Sequence, residues 1–215
     1  MESNLLIYQG RNKPLPAGEA PRILELSPLD KSSYIETRRV VFEDRGRIRN
    51  WDLAKSHDSV AVVIYHRERQ GFIFVRQLRI SVFLKNSEHG YVYELCAGLC
   101  DKGVNPRQTA LEELQEECGY FIEAERLERL AEFYSSVGLS GTRQNLFYAE
   151  VDSKDKKTLG GGKTSEGENI ELVFVPEALA DEFMQDEACP KTPSLCYGIL
   201  WQRERHRAKG GLHGS

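Results

Sequence analysis

The sequence predicts an α+β fold: a mixed β-sheet held between helices and preceded by a small N-terminal β element. Three observations carry that reading. Strand-like runs recur along the chain at 34–44, 60–65, 72–75, 91–98, 129–137, 142–152 and 169–175. One strong amphipathic helical pattern, 105–118, interrupts them. Two further helical patterns close the chain, after Pro176 and after Thr192.

The composition agrees. The 215 residues are 40% apolar and 29% charged, with a net charge of −4. That suits one domain plus an extra element, with enough chain to bury a core without disulfide or zinc staples. It excludes a disordered chain. No apolar run reaches the roughly 18 residues of a membrane span, so no membrane partner is expected. MESNLLIYQG has no basic stretch leading into an apolar one, so no secretory signal is read there. The five cysteines are an odd number without a CxxC, which reads as reduced thiols in a cytoplasmic protein. The acidic balance argues against a nucleic-acid partner.

Taken in order, the first 33 residues carry Pro14, Pro16, Pro21 and Pro28, which would interrupt a long helix or central strand. YIETRRVVFED alternates as a strand, and GRIRNWDLAKSH reads as a second, shorter strand and a turn. The boundary falls near Lys55, giving an N-terminal β segment at 1–55 and a main domain at 56–215. Arg38, Arg39, Arg45, Arg47 and Arg49 crowd that segment, as a solvated strand face or as an anion- or dimer-contacting one. Runs 60–65 and 72–75 flank the polar 66–71 and read as a hairpin continuous enough to be covered on both faces. YVYELCAG reads as one strand ended by Gly98. In the main helix Asn105 is a good N-cap, Pro106 sits at the first position, and Gly119 stands where a helix stops.

That helix is the informative element. At about 100° per residue, Ala110, Leu111, Leu114 and Cys118 share one arc, and Glu112, Glu113, Glu116 and Glu117 share the other. Glu112–Glu116 and Glu113–Glu117 are like-charge pairs four residues apart, and they crowd the half of the helix where its dipole disfavours negative charge. A hard divalent cation would reverse the sign of every one of these terms. An ordinary solvated acidic face is the alternative.

The stretch from Gly98 to Tyr120, GLCDKGVNPRQTALEELQEECGY, resembles the Nudix box GX5EX7REUXEEXGU. Gly98, Glu113, Leu114, Glu116, Glu117 and Gly119 match without gaps. Val104 stands where Glu is usual, and Glu112 where Arg is usual. The likeness runs from about Trp51 to about Trp201. VRQLRISVF, ELCAG, YSSVGLSGTRQNLFYAEV and SEGENIELVFV resemble the UDP-sugar diphosphatase (UDP-glucose pyrophosphatase) branch. ADP-ribose pyrophosphatases often carry a proline shortly after the box; Val137 stands there here.

The resemblance implies a Nudix-like α/β/α sandwich that hydrolyses a UDP-sugar to UMP and a sugar 1-phosphate with Mg2+, or with Mn2+ in its place. By position it makes Glu113 and Glu117 the first metal ligands, Glu116 the next, and the backbone carbonyl of Ala97 another. It points to a later loop carboxylate, Glu166 or Glu168, as general base, with Glu116 also a candidate catalytic group; loop solubility is the plainer role for both loop residues. Arg76 and Arg79, after a buried strand, are candidates to hold phosphate oxygens or to form ordinary ion pairs. Trp51 is a candidate to stack on the nucleobase, across a dimer, or simply to pack. A homodimer is expected, because the N-terminal strands are too few to bury their own apolar face.

Two rival functions remain on the sequence: ADP-ribose hydrolysis to AMP and ribose 5-phosphate, and, because of Val104 and Glu112, a non-catalytic nucleotide-sugar binder on the same scaffold. GGGKTS imitates a phosphate-binding loop, but Lys157 stands where its first glycine is required, so it reads as a mobile loop. His57 and His66 have no partner histidine four residues away and are assigned no metal. RERHRAK near the C-terminus is explained by the helix dipole as well as by any nucleic acid.

Overall fold

The computed structural model describes residues 5–32, 35–86, 90–163 and 167–211. Its centre is strand β4 (Ser59–His66), whose residues from Val60 to Tyr65 are buried on both sides, as the unbroken apolar run requires. A turn returns the chain as β5 (Gly71–Leu78), antiparallel to β4. On the other side β4 runs parallel to β9 (Thr142–Val151), which pairs antiparallel with β8 (Leu127–Ser135). β5 is covered by antiparallel β10 (Glu171–Pro176). The sheet is therefore mixed, as expected.

Three local readings need correction. Run 91–98 is two strands, not one. β6 (Tyr91–Glu94) pairs with β5, and β7 (Cys96–Leu99) pairs with β4, so the chain switches neighbours at the buried Leu95. The residues before Lys55 are also not one separate element. β1 (Leu5–Ile7) runs parallel to β10 at the sheet edge, and Tyr8 beyond it is buried, its hydroxyl donating to Asp186 at 2.9 Å. Only β2 (Glu36–Asp44) and β3 (Arg47–Lys55) form a sheet of their own. β3 is as long as β2, nine residues each, because Arg45 and Gly46 both adopt positive φ (54° and 73°) and make the tight two-residue turn that keeps the strands in register.

Helices cover both sheet faces. α2 (Pro106–Glu116) packs Ala110, Leu111 and Leu114 against Val60, Val62, Ile64, Ile73 and Val75. The opposite face, with Ala61, Val63, Phe72 and Phe74, receives α3 (Ala180–Gln185) through Phe183 and α4 (Pro193–Gly211) through Leu195 and Ile199. A one-turn helix after β5, α1 (Ile80–Phe83), is, like β1, an element that the patterning does not foresee. Among the described residues no helix is long and apolar enough to cross a membrane.

Candidate active site

The site grows from the C-terminal half of α2. Asn105 starts the helix, its side chain accepting from the Gln108 N–H at 3.0 Å, and Pro106 loses nothing at the first position. At the other end the glycine-rich segment supplies the missing partners. Gly161 N–H donates to Glu117 O at 2.8 Å and Gly162 N–H to Glu116 O at 3.2 Å, while Lys156 Nζ donates to Cys118 O at 2.7 Å. A Cβ on Gly160 would lie 2.3 Å from Glu117 O, so the close approach itself demands glycine. The expectation of a mobile loop is corrected for 160–162: these glycines cap the helix.

Beneath this cap a cavity of about 440 Å³ opens at the end of the sheet. Glu113, Glu116 and Glu117 line it from α2, Ala97 and Gly98 from β7, Arg79 from the end of β5, and Glu168 from the segment before β10. Glu117 is buried, and its Oε2 accepts the Ala97 N–H at 2.9 Å. Burial pushes its carboxyl up to about 8, with the nearby Glu113 and Glu168 adding to the rise against the Ala97 N–H. Burial likewise raises Glu113 to about 7, helped by the charge of Glu116. Glu113 lies flat on Gly98, where a Cβ would come 2.1 Å from its Oε1. Glu116 pairs with Lys163 at 2.7 Å. Glu168 Oε2 accepts the Lys163 N–H at 2.7 Å.

The structure thus brings Ala97, Glu113, Glu116, Glu117, Glu168 and Arg79 together. Arg79 makes a two-pronged pair with Glu94, at 2.7 and 2.8 Å, while still facing the cavity. It does not bring Arg76. Strand alternation turns Arg76 to the sheet face opposite α2, where it is buried against Glu171 at 2.7 Å, the Pro16 carbonyl and Tyr93. Trp51 also lies outside the cavity; it is 45% exposed on β3, and its indole donates to Gly138 O at 3.1 Å. Glu166 lies outside the described residues. Glu112 does not line the cavity; it accepts from Gln108 at 3.0 Å and pairs at 3.5 Å with Lys102, which does.

Sequence reasoning missed Glu94 and Lys163. Glu94 is hidden inside an apolar strand. Lys163 sits in the GGGKTS stretch, where the only visible signal was a cation just after a glycine run, and nothing local says that the run folds back onto α2.

Among the described residues no three His, Cys, Asp or Glu side chains already stand in a metal-binding arrangement. The donor chemistry nevertheless fits a hard divalent cation: oxygen donors only, crowded until burial and mutual repulsion hold two of them partly protonated near neutral pH.

The NUDIX domain profile matches residues 55–191, from the end of β3 to the segment before α4. The chain belongs to the Nudix family. The resemblance seen in the Gly98–Tyr120 stretch is borne out. Among similar proteins, uridine diphosphate glucose pyrophosphatase NUDT14 of Bos taurus is 33% identical to this Nudix chain, over 79% of it and 88% of the bovine protein. Its Mus musculus counterpart is 31% identical over the same shares. The GDP-mannose pyrophosphatase of Cronobacter sakazakii is 34% identical, over 55% of this chain and 60% of its own.

Proposed function

We propose that this Nudix hydrolase cleaves the diphosphate of a UDP-sugar, converting UDP-glucose and water to UMP and glucose 1-phosphate. The observation that carries the reading is the gathering of Glu113, Glu116, Glu117 and Glu168 with Arg79 around one cavity. The names of the bovine and mouse relatives support uridine as the nucleoside and glucose as the sugar.

The chemistry follows from the charges. A diphosphate repels an incoming oxygen nucleophile, so the anionic oxygens must be neutralised and the water oriented. Glu113 and Glu117, with Glu116 and the Ala97 carbonyl beside them, would hold Mg2+ or Mn2+, which would neutralise phosphate charge and acidify bound water. Arg79 faces the same space with a planar guanidinium suited to phosphate oxygens, its orientation fixed by Glu94. Glu168 is the described loop carboxylate placed to take the proton of the attacking water; Glu166 shares that assignment by sequence. The water oxygen bonds to one phosphorus, the bridging P–O bond breaks, and the bridging oxygen leaves with the other phosphate.

We further propose a homodimer built on the β2–β3 hairpin. A two-stranded ribbon is marginal alone, and this one exposes Val40, Val41, Ile48 and Trp51. In such a pair Trp51 is the residue offered to a nucleobase. The N-terminal dimerisation unit at 1–55 then reduces to the hairpin. The five free cysteines support a reducing, cytoplasmic setting.

The deciding experiment incubates the protein with UDP-glucose, ADP-ribose and GDP-mannose side by side, with Mg2+ and with chelator. Mg2+-dependent UMP release is expected. Preferred release of AMP or GMP overturns the uridine assignment, and no product from any of them overturns the UDP-sugar reading and leaves another substrate or a binding role.

A further inference from the structure

The acidic face of α2 carries a conflict that the helix does not resolve by itself. Glu112 and Glu116 stand four residues apart, where like charges face each other. The two cations that meet them come from outside the helix. Lys102, at the rim of the cavity, takes Glu112 at 3.5 Å. Lys163 takes Glu116 at 2.7 Å, inside it.

Lys163 does more than supply a charge. Its own N–H donates to Glu168 Oε2 at 2.7 Å, and its carbonyl accepts the Glu168 N–H at 3.2 Å. One residue therefore grips two cavity carboxylates that come from different segments, Glu116 from α2 and Glu168 from the run into β10. The backbone beside it is fixed as well. Gly161 and Gly162 are hydrogen-bonded to the end of α2, and Gly162, at φ +77°, passes so close to Glu168 that a Cβ there would lie 2.7 Å from Oε2. The Lys163 and Glu116 side chains are each about one-third exposed, at 33% and 31%. A pair that wet contributes little to stability, so its value lies in where it holds things.

We propose that Lys163 is a positioning residue for the hydrolysis: its side chain on Glu116 and its backbone on Glu168 fix the loop carboxylate at a set distance from the α2 carboxylates. The inference rests on the reading above, in which Glu168 accepts the proton of the attacking water. A proton acceptor works only within hydrogen-bond reach of its water, and a small misplacement is costly.

The test compares wild type, Lys163→Met, Lys163→Arg and the double variant Glu112→Arg/Lys163→Met. Three readouts are taken: kcat and KM for UDP-glucose, Mn2+ affinity by electron paramagnetic resonance without substrate, and amide exchange across 156–175. Lys163→Met is expected to lower kcat about tenfold or more, with KM and Mn2+ affinity within about threefold and faster exchange confined to the loop. Lys163→Arg is expected to recover most of the rate. Glu112→Arg/Lys163→Met is expected not to recover it, because an arginine on the helix restores charge at Glu116 without tying the loop down. Recovery by that double variant would mean that Lys163 acts by charge alone, and would overturn the proposal. So would an unchanged kcat in Lys163→Met, or a loss of Mn2+ affinity matching the loss of rate. Should wild type leave UDP-glucose intact, the functional reading falls on its own, and the loop's amide exchange still decides whether Lys163 holds it against α2.

Discussion

α2 and α4 lie on opposite faces of one sheet, and both present charged sides away from it. Among the described side chains of α4 the charges are matched one by one. Arg203 meets Asp181 of α3, Arg205 meets Glu128 of β8, Arg207 meets Glu204 at 2.5 Å, and His206 meets Glu177 at 3.0 Å. On α2 the carboxylates are gathered around one cavity instead, and burial lifts Glu113 and Glu117 far above the ordinary carboxylate range. Two helices of the same architecture thus differ in what their charges do. Those of α4, apart from the Arg207–Glu204 pair within the helix, fasten neighbouring elements. Those of α2 keep a repulsion that folding alone would not select, which Lys102 and Lys163 offset only in part and which a bound cation would relieve further.

The sharpest way to break this contrast is to neutralise one cavity carboxylate without changing its shape. Glu117→Gln keeps an oxygen for the Ala97 N–H, so the fold should hold and the thermal midpoint should stay level or rise. Turnover of UDP-glucose should fall by about a thousandfold, the scale of losing one preorganised charge partner. Near-normal turnover would remove Glu117 from the metal site. A smaller loss is expected from Gly98→Ala. Its new methyl would fall 2.1 Å from Glu113 Oε1, so Glu113 must move, and a displacement of about an ångström costs on the order of a hundredfold in rate. Steady-state kinetics at saturating Mg2+ measure both.

A third consequence concerns pH in the presence of chelator. Glu113 and Glu117 titrate near 7 and 8 in the folded chain and near 4.5 when unfolded, so the folded state holds their protons more tightly. Their contribution to stability is full below about pH 4.5 and is lost as pH rises through 7 and 8. At about 1.4 kcal/mol per unit of displacement, discounted for mutual coupling, the loss amounts to a few kcal/mol. Thermal melts in chelator should therefore drop from pH 6 to pH 8, and added Mg2+ should close the gap by competing with the protons. A midpoint that rises over that interval would contradict the buried-carboxylate picture. Asp155 has the opposite sign: Arg126 holds its carboxyl below the usual range, so its share is lost as pH falls.

What the sequence discloses follows the range of the forces involved. The helix, its cap, its stop at Gly119 and its two faces are local, and Asn105, Pro106, Leu114 and Glu117 announce them. The unbroken run 60–65 announces a strand covered on both faces. The strand switch at Leu95 is not legible, since 91–98 is apolar enough for either sheet neighbour and only pairing with β4 and β5 divides it. The side on which Arg76 falls depends on the register of β5 with β10, a contact 95 residues away along the chain. Lys163 was visible only as a residue beside glycines; its role needs the docking of 160–162 on α2.

The smallest expected effect tests the other half of the comparison. On the α4 face, Tyr65 donates to Glu177 Oε2 at 2.6 Å and His206 Nδ1 lies 3.0 Å from Oε1, so this one carboxylate fastens β4 to α4. In Glu177→Gln one oxygen keeps its partner and the other becomes an NH2 group, which the Tyr65 hydroxyl can accept by rotating. The net loss is one charge-assisted hydrogen bond exchanged for a neutral one, about 1 kcal/mol. For a chain of this size that lowers the thermal midpoint by about 2–4 °C. Turnover should stay within about twofold, because none of these groups reaches the carboxylate cavity and the α4 contacts lie behind the sheet. A tenfold fall in kcat would show that the two faces are coupled through β4, and the division of labour between α2 and α4 would fail.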